Sequence, residues 1–297
     1  MIKQITITLF YLLLTVPTVI AEQIPDSFTS YSASTVSEFA NHMYTAQTKR
    51  WPLPHISQHL AGVTHQQAAI AQFLFVQQYS NGSTGQIISG YKAGLTSKIG
   101  QKKFNVNGAI SGVLFARGKV ANGEKVSLTD YRKLMLETEI GFVLNQDIDM
   151  PIKDIDQLKS TISAILPVIE MPDLAFADLK NITGQDIVAS NAIANRYLLG
   201  KETKMPVDFS LNRLKISLVH SVETTKSAVN QGIGEDALGD QWEALLWLVN
   251  DRLESGYRLG KGQFLITGAL GKMIPAQTGY YQADFGQLGE LTFTVTE

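Results

Sequence analysis

The 297-residue chain carries 25 basic and 27 acidic side chains, a formal net charge of −2, so its charge indicates no broad basic surface for nucleic acid. It has no cysteine, which excludes disulfides, thiolate metal sites and cysteine-based catalysis. Hydrophobic residues make up 44% of the chain and charged residues 18%, as in a globular protein with a sizeable core.

Residues 1–21 have the pattern of a secretory signal peptide. Lys3 precedes an apolar stretch, and Val19-Ile20-Ala21 supplies a small residue at the cleavage position. We therefore expect cleavage after Ala21 and an exported protein, periplasmic or secreted. The alternative is an uncleaved anchor, because the apolar run is only slightly short of the ~20 residues that a spanning helix needs.

Two helical patterns follow in a portion that we place at residues 22–85. Residues 34–48 begin at a Ser/Thr cap, and prolines then favour a loop. Thr64 caps a second pattern, which ends at Asn81-Gly82. The sequence thus predicts a small helical N-terminal portion.

From about residue 86 the pattern becomes rich in short β-type runs that Gly, Asn and Asp separate. The runs are QIISGYKAGLTS, GVLFARGKV, LMLETEIGFVL, SAILPVIE, MPVDFSL, RLKISLVH, GQFLITGAL and GELTFTVTE. One long helix is predicted late, at DQWEALLWLVNDRLESG. The fold class is therefore α+β, with a mixed, β-rich domain at residues 86–297.

Glu137 and Glu139 lie in the apolar run LMLETEIGFVL. In a strand, side chains two residues apart point to the same face, so both carboxylates project together. A bound cation would relieve their mutual repulsion, whereas the simpler interpretation is a solvated face or an ion pair with Lys or Arg. Glu170 ends the run LPVIE and adds a third carboxylate. An all-oxygen ligand set of this kind favours Mg²⁺ or Mn²⁺.

Lys92 lies in GYKAGLTSK, between Gly90 and Gly94. A lysine in a β-run can extend to the surface, or it can bind a substrate carboxylate or transfer protons. His55 and His59 have the i, i+4 spacing of a metal pair, but the surrounding prolines weaken a helix there. The chain has no G-x-S-x-G elbow, P-loop or G-x-G-x-x-G fingerprint.

A family resemblance is carried by seven stretches that follow one another in the family's order. They are GYKAGLTSK, LETEIGFVLNQDI, ILPVIE, DIVASNAIANRYLLG, WEALLWLVNDRLESG, GQFLITGALGKMIPA and ADFGQLGELTFT. From about residue 60 to the end, the chain resembles the 2-keto-4-pentenoate hydratase / 4-oxalocrotonate decarboxylase family, within the fumarylacetoacetate hydrolase-like superfamily. The resemblance implies rolled, strongly bent mixed sheets with flanking helices.

The resemblance also implies a site. Glu137, Glu139 and Glu170 would bind Mg²⁺ or Mn²⁺, which would chelate the carboxylate and keto oxygen of a small 2-oxo acid. Lys92 would match the family's active-site lysine. Gln72 would match a glutamine that follows the family's A-Y-x-x-Q pattern, and would be catalytic.

Departures from the family pattern concern the proton-transfer residues. Ile110 stands where the family reads aspartate in P-D-[YF]-G, and Ala69 stands where tyrosine is common. Glu243 and Gln241 replace a frequent asparagine and a frequent proline. Asp186 and Glu243 are acids that could take over from the missing aspartate. The export signal also departs from the family, whose pathway, the catabolism of aromatic ring-cleavage products, is cytoplasmic.

The resemblance favours a metal-dependent hydratase, a hydro-lyase, acting on a 2-hydroxy-dienoate or related 2-oxo acid. A 4-oxalocrotonate-type decarboxylase, a C–C hydrolase or a tautomerase on the same fold are alternatives. Another is a catalytically weak exported relative that binds a small oxo acid. We expect no nucleic-acid partner and no membrane association after signal cleavage, and homo-oligomerisation is left open.

Overall fold

A computed structural model describes residues 33–82, 85–206 and 209–297. Two mixed sheets and seven α-helices make up these residues, with short 3₁₀ turns between them. The predicted signal peptide lies outside the described residues. No helix in the described part of the chain combines the length and apolarity needed to cross a membrane.

The larger sheet has eight strands and contains the residues of the predicted site. In chain order its strands are β1 (Ile88–Gly94), β2 (Ile110–Phe115), β3 (Lys119–Val120), β5 (Met135–Leu144), β6 (Ile162–Met171), β7 (Arg196–Leu199), β10 (Phe264–Ile266) and β11 (Ile274–Pro275). Across the sheet the order is β2-β1-β10-β5-β6-β7-β3, and β11 pairs with β5. The β1–β10 and β3–β7 pairs are parallel, and the other pairs are antiparallel.

The second sheet has five strands. They are β4 (Lys125–Ser127), β8 (Lys215–Val222), β9 (Thr225–Ile233), β12 (Gly279–Asp284) and β13 (Glu290–Thr296), in the order β4-β13-β12-β8-β9. β8 alternates buried and more exposed residues, as expected for a sheet with one solvated face.

β5 and β6 form the centre of the larger sheet. Almost every residue of the two strands is buried, which explains why their sequences are nearly continuous apolar runs rather than alternating ones. Their antiparallel register places Glu137 opposite Glu170 and Glu139 opposite Val168. Glutamate side chains thus project from the most apolar part of the fold.

The seven helices are α1 (Ala33–Lys49), α2 (Ile56–His59), α3 (His65–Asn81), α4 (Lys98–Lys103), α5 (Ile155–Ser160), α6 (Gly184–Ala189) and α7 (Gln241–Glu254). Thr64 caps α3 through a capping box with Gln67, and the helix ends at Asn81 before Gly82, as predicted. The late helix is confirmed as α7, whose first turn is capped by the carboxylate of Asp240.

α3 is buried over much of its length and packs against α1 and α6. Its apolar core includes Ala71, Phe75 and Val76, which belong to the same core as the strands of the larger sheet. The helical N-terminal portion therefore packs directly onto the β-rich part.

One predicted strand is wrong. In the run 205–211, Met205, Pro206, Phe209 and Ser210 form no strand, and Val207-Asp208 lie outside the described residues. Pro206 cannot donate to a strand ladder, which is the physical reason for the irregular backbone. The sequence also gave no signal for the short helices α4, α5 and α6, because helices of six residues show little periodicity.

Candidate active site

Three glutamates converge in the larger sheet. Glu137 and Glu139 project from one face of β5, and Glu170 projects from β6 directly opposite Glu137. Each offers a carboxylate oxygen, and these oxygens lie within 4.8 Å of one another. Glu139 and Glu170 are fully buried, whereas Glu137 is partly exposed. Within residues 33–82, 85–206 and 209–297, no other group of three acidic or histidine side chains converges in this way.

Two oxygens of this cluster lack any partner. Glu139 Oε2 accepts a hydrogen bond from the backbone N–H of Gly268 at 2.7 Å, but Glu139 Oε1 has no donor. Glu170 Oε1 accepts from Lys92 Nζ at 2.5 Å, but Glu170 Oε2 has no donor. Buried polar atoms are almost always hydrogen-bonded, so two orphaned oxygens in one carboxylate cluster indicate a missing partner.

The backbone at Gly268 makes room for the contact with Glu139. Its φ of +110° is in the region that glycine tolerates, and a Cβ there would lie 2.5 Å from the side chain of Thr96. A glycine is therefore required for its N–H to reach the Glu139 carboxylate.

The environment opposes ionisation of Glu137 and Glu139. Burial raises the pKa of Glu137 to about 7; the Lys92 charge opposes this rise, and Glu170 adds to it. Burial, followed by the nearby charges of Glu170 and Glu137, raises the pKa of Glu139 well above its ordinary value. In the ligand-free protein the cluster therefore resists carrying three negative charges.

Lys92 is the counter-charge within the protein. Only 2% of the residue is exposed, and besides Glu170 its ammonium group contacts the Ala192 carbonyl at 3.3 Å. Burial alone would lower the pKa of Lys92, but the three glutamates outweigh burial and raise it. Lys92 is therefore a fixed cation beside the carboxylates.

The Ala192 carbonyl belongs to an unusual turn. Asn191, Ala192 and Ile193 all have positive φ values, of 59°, 52° and 53°. The Asn191 side chain fixes this turn to β2, because its Oδ1 accepts from Val113 N at 2.7 Å and its Nδ2 donates to Val113 O at 2.9 Å. Consecutive non-glycine residues in this region are strained, and such strain is concentrated at functional sites.

The cluster opens into a cavity of about 990 Å³. Lys92 and Glu137 line it, and much of its wall is apolar, including Ile110, Phe104 and Ile187. A large apolar cavity with a few convergent polar groups and groups of perturbed pKa is typical of an active site.

Sequence reasoning missed several polar groups that line this cavity. They are Thr96, Lys103, Asn230, Asp236 and Lys272. Asp236 is the notable one, because it is a cavity-lining carboxylate outside the glutamate cluster. Its Oδ2 accepts from the backbone N–H groups of Ile233 and Gly271, both at 2.9 Å. Thr96 and Lys272 lie in quoted stretches but no role was assigned to them, and the other three have no motif because they come from elements far apart in the chain.

Gln72 lies behind the cavity rather than in its lining. Its amide donates to the carbonyls of Ser111 and Val188 at 2.8 and 2.9 Å, and its oxygen accepts from Arg252 at 3.0 Å. These are the contacts of a residue that positions β2. Its catalytic role stays a prediction.

Ile110, the first residue of β2, does line the cavity, opposite Gly94 of β1. Ile110 lies on the same face of the sheet as Lys92, since their positions in the β1–β2 register differ by an even number of residues. The departure from the family aspartate therefore falls inside the cavity itself, where a side chain able to transfer a proton is replaced by a hydrocarbon.

The two acids that we named as substitutes do not line this cavity. Asp186 is bonded to His55, Ser57 and Thr183 at the start of α6. Glu243 is exposed in the first turn of α7. The prediction that Asp186 or Glu243 takes over from the family aspartate is therefore wrong, because neither side chain lines the cavity.

The histidine pair is also separated. His55 Nδ1 lies 3.2 Å from Asp186 Oδ2, whereas His59 is exposed and packs edge-on against the His42 ring. The loop-like backbone around the prolines, with only a four-residue helix at Ile56–His59, prevents a shared metal site.

The glutamate cluster fits a divalent cation. Its donors are all carboxylate oxygens, which hard cations prefer, and two of them lack a partner. Three carboxylates and one lysine leave two negative charges, which one dication would balance. A bound cation would also counteract the raised pKa values of Glu137 and Glu139, because it favours their ionised forms.

The chain is similar in sequence to proteins named as hydratases, although no family model matches it. It is 31% identical over 209 residues to the TodF product hydratase of Pseudomonas putida F1, covering 70% of this chain and 76% of that protein. It is 30% identical over 226 residues to the 2-keto-4-pentenoate hydratase of Burkholderia vietnamiensis, covering 75% of this chain and 84% of that protein.

The fold matches that of a solved structure. The 4-oxalocrotonate decarboxylase from Pseudomonas putida G7, complexed with magnesium and adipate, superposes with a TM-score of 0.81. The match covers 90% of this chain and 99% of that one at 21% sequence identity. The predicted mixed-sheet fold with a small helical N-terminal portion is thereby confirmed.

Proposed function

The chain belongs to the 2-keto-4-pentenoate hydratase family, and on that premise we propose that it is a divalent-metal-dependent hydro-lyase acting on a 2-hydroxy-dienoate. The relatives are named for this chemistry, and the cavity has the acidic cluster and the buried lysine that it requires. The observation that carries the proposal is the pair of orphaned oxygens, Glu139 Oε1 and Glu170 Oε2, beside a fixed cation.

We assign Glu137, Glu139 and Glu170 as ligands of Mg²⁺ or Mn²⁺. When bound, the cation would supply Lewis-acid stabilisation of the negative charge that develops on the 2-oxo oxygen of the substrate. The Gly268 N–H fixes the orientation of Glu139, and Lys92 fixes that of Glu170. Both residues thus hold a ligand oxygen in place before a cation arrives.

Lys92 has a second role in this proposal. Because its pKa is raised, its ammonium group stays protonated and can accept a substrate carboxylate as partner. The Ala192 carbonyl keeps that ammonium group at the edge of the cavity. The apolar wall around Ile110 and Phe104 would exclude water from most of the bound substrate, so that water reaches only its reacting end.

Hydration of a dienoate requires a proton on one carbon of the double bond and a hydroxyl group on the next. Ile110 can do neither. Asp236 is the cavity-lining carboxylate left for moving that proton, with two backbone N–H groups holding one of its oxygens. We propose Asp236 as the base that replaces the family aspartate: it would take a proton from the attacking water and return a proton to the substrate carbon.

The isoleucine at position 110, in place of the family aspartate, also favours a second candidate function. If Asp236 does not take part, the protein is a relative that binds small oxo acids and turns them over poorly. The two candidates differ in turnover but not in metal or oxalate binding. The decarboxylase and C–C hydrolase alternatives would share the same metal and lysine.

The test is hydration of 2-hydroxypenta-2,4-dienoate by metal-depleted protein with and without added Mg²⁺ or Mn²⁺. We expect metal-dependent loss of the dienoate chromophore, abolished in Glu139→Gln and retained in Glu243→Gln, which removes an exposed carboxylate outside the cavity. Asp236→Asn keeps the oxygen that accepts both N–H groups but removes the charge, and should lose turnover. Full turnover in Asp236→Asn would exclude Asp236 as the base.

Ile110→Asp sharpens the choice between the two functions. It places a carboxylate where the family has one and should raise turnover if the rest of the proton path is intact. High turnover in the wild-type protein with no gain in Ile110→Asp would show that the missing aspartate has no consequence.

Export remains a separate proposal. We propose that the mature chain begins at Glu22, after Val19-Ile20-Ala21, in a compartment outside the cytoplasm. N-terminal sequencing of protein from native cells tests this, and intact Met1 in a soluble cytoplasmic fraction would contradict it.

A further inference from the structure

A second cavity, of about 510 Å³, lies apart from the glutamate cavity and shares no lining residue with it. We call it the arginine cavity, because Arg50, Arg117, Arg132 and Arg196 line it. The end of α1, the turn before β3 and the start of β7 form its walls. Parallel pairing of β3 with β7 brings the segments that carry Arg117 and Arg196 side by side.

The lining of the arginine cavity carries excess positive charge. Against four arginines it contains two carboxylates, Asp130 and Asp173. Asp130 binds one arginine through each oxygen, Arg50 at 3.3 Å and Arg196 at 3.1 Å. Asp173 instead accepts from the backbone N–H groups of Arg132 and Lys133. Two formal positive charges therefore remain.

Arg117 and Arg132 form no ion pair with a carboxylate within the described residues. Arg117 lies over the ring of Tyr79, with its guanidinium 4.6 Å from the ring centroid, and burial together with the charge of Arg196 lowers its pKa. A lowered pKa means that keeping Arg117 charged costs free energy at this position. An anion between the arginines would remove that cost.

Arg50, Arg117 and Arg132 are exposed, but contacts with neighbouring groups hold parts of the cavity in place. Arg196 lies over the Tyr131 ring at 5.3 Å, so aromatic rings fix two of the four guanidinium groups. Gly118 lies so close to the backbone of Asn195 that a Cβ there would be 2.4 Å from the Asn195 carbonyl oxygen. Fixed guanidinium groups are suited to bidentate recognition of oxyanions.

We propose that the arginine cavity binds a small dianion through its oxyanion groups, at a site separate from the active site. Inorganic phosphate, a phosphomonoester and a short dicarboxylate share this chemistry. Trp51 lines the cavity and is 57% exposed, which gives it a position to report on an occupant. The inference does not depend on the proposed hydratase activity.

Calorimetric titration of the full chain with inorganic phosphate and, separately, with succinate tests the proposal and distinguishes the two anion types. We expect saturable binding of at least one of them, with a change in Trp51 fluorescence that is lost in Trp51→Phe. Arg117→Gln and Arg132→Gln should each weaken binding by about tenfold or more, since each removes a charge-assisted contact without leaving a carboxylate unpaired.

Arg213→Gln is the matched control, because Arg213 is exposed, lies outside the cavity and carries the same charge. Its anion affinity should equal that of the wild-type protein. Glu139→Gln should also keep the anion affinity, which separates this site from the glutamate cluster.

Two results would overturn the proposal. One is that the wild-type protein binds neither phosphate nor succinate at millimolar concentration. The other is that Arg117→Gln and Arg132→Gln, both shown by circular dichroism to be folded, bind the anion as tightly as the Arg213→Gln control. Arg117 and Arg132 are both exposed, so both variants should fold, and each tests the proposal independently of the other.

Discussion

Two buried carboxylate centres of this molecule differ in how their oxygens are satisfied. Asp186 is 1% exposed and accepts from five groups: His55 Nδ1, the backbone N–H and hydroxyl of Ser57, and the backbone N–H and hydroxyl of Thr183. Glu139 and Glu170 are just as buried, yet each has an oxygen with no donor.

The pKa shifts at the two centres follow from this difference and have opposite signs. Burial would raise the pKa of Asp186, but its hydrogen bonds from Ser57, Thr183 and His55 outweigh burial and lower it. At Glu137 and Glu139 burial prevails, and the pKa of each is raised. A buried carboxylate whose donors come from the fold is structural. A buried carboxylate that lacks such donors depends on a bound ligand.

The largest expected effect is on metal binding. Glu139→Gln keeps an oxygen for the Gly268 N–H but removes the charge, and should lower Mg²⁺ and Mn²⁺ affinity by more than the roughly 10- to 100-fold that loss of an outer-shell partner costs. Calorimetry of metal-depleted protein measures this, with Glu243→Gln as control. Equal affinity in Glu139→Gln and the control would remove Glu139 from the metal site.

Lys92→Met should separate ligand binding from metal binding. Loss of a buried charge-assisted contact costs about 2–5 kcal/mol, so oxalate affinity should fall by roughly 30- to 4000-fold. Metal affinity should change far less than oxalate affinity, because removing the Lys92 charge favours the cation while removing its contact with Glu170 disfavours it. Lys98→Met, at an exposed position outside the cavity, is the control. Undiminished oxalate affinity would show that Lys92 does not contact the ligand.

Asp186→Asn should show the opposite pattern to Glu139→Gln. The amide cannot accept from all five donors and places an NH₂ group among them, so we expect a loss of about 3 kcal/mol in the free energy of unfolding. Metal affinity of the folded protein should not change. Urea denaturation measures the first quantity and calorimetry the second. A variant as stable as the wild-type protein would mean that water replaces the lost contacts.

The pH dependence of stability should have opposite signs at the two centres. The pKa of Glu137 in the folded protein, about 7, lies above its ordinary value of 4.5. Its contribution to the stability of metal-free protein is therefore full below pH 4.5 and is lost as the pH rises through 7. The pKa of Asp186 lies below its ordinary value of 3.8, so its contribution is present above that pH and lost below it.

Urea denaturation of metal-depleted protein at pH 5 and pH 8 measures the Glu137 contribution. We expect lower stability at pH 8, and a larger stabilisation by Mg²⁺ at pH 8 than at pH 5, because the cation binds the ionised carboxylates. In Glu137→Gln the difference between the two pH values should shrink. Stability that rises from pH 5 to pH 8 without metal would contradict the raised pKa.

Local sequence determined the parts of the site that lie close together in the chain. Strand alternation alone places Glu137 and Glu139 on one face of β5, and Thr64 and Asp240 specify helix starts through their own caps. The sequence runs also singled out Glu170 and Lys92, the resemblance implied their roles, and the structure brings both to the cluster. These inferences needed only the period of a strand, a capping geometry or an ordered set of motifs.

The tertiary structure alone decided which side chains share a partner. The β5–β6 register sets Glu170 against Glu137. One distant segment of the chain brings His55 and Ser57 to Asp186, whereas Thr183 precedes it at the start of α6. The same holds for the arginine cavity, whose four arginines span residues 50 to 196. A carboxylate's sequence neighbours do not reveal how many donors will reach it, because donors are supplied by contacts between segments that only the folded chain brings together.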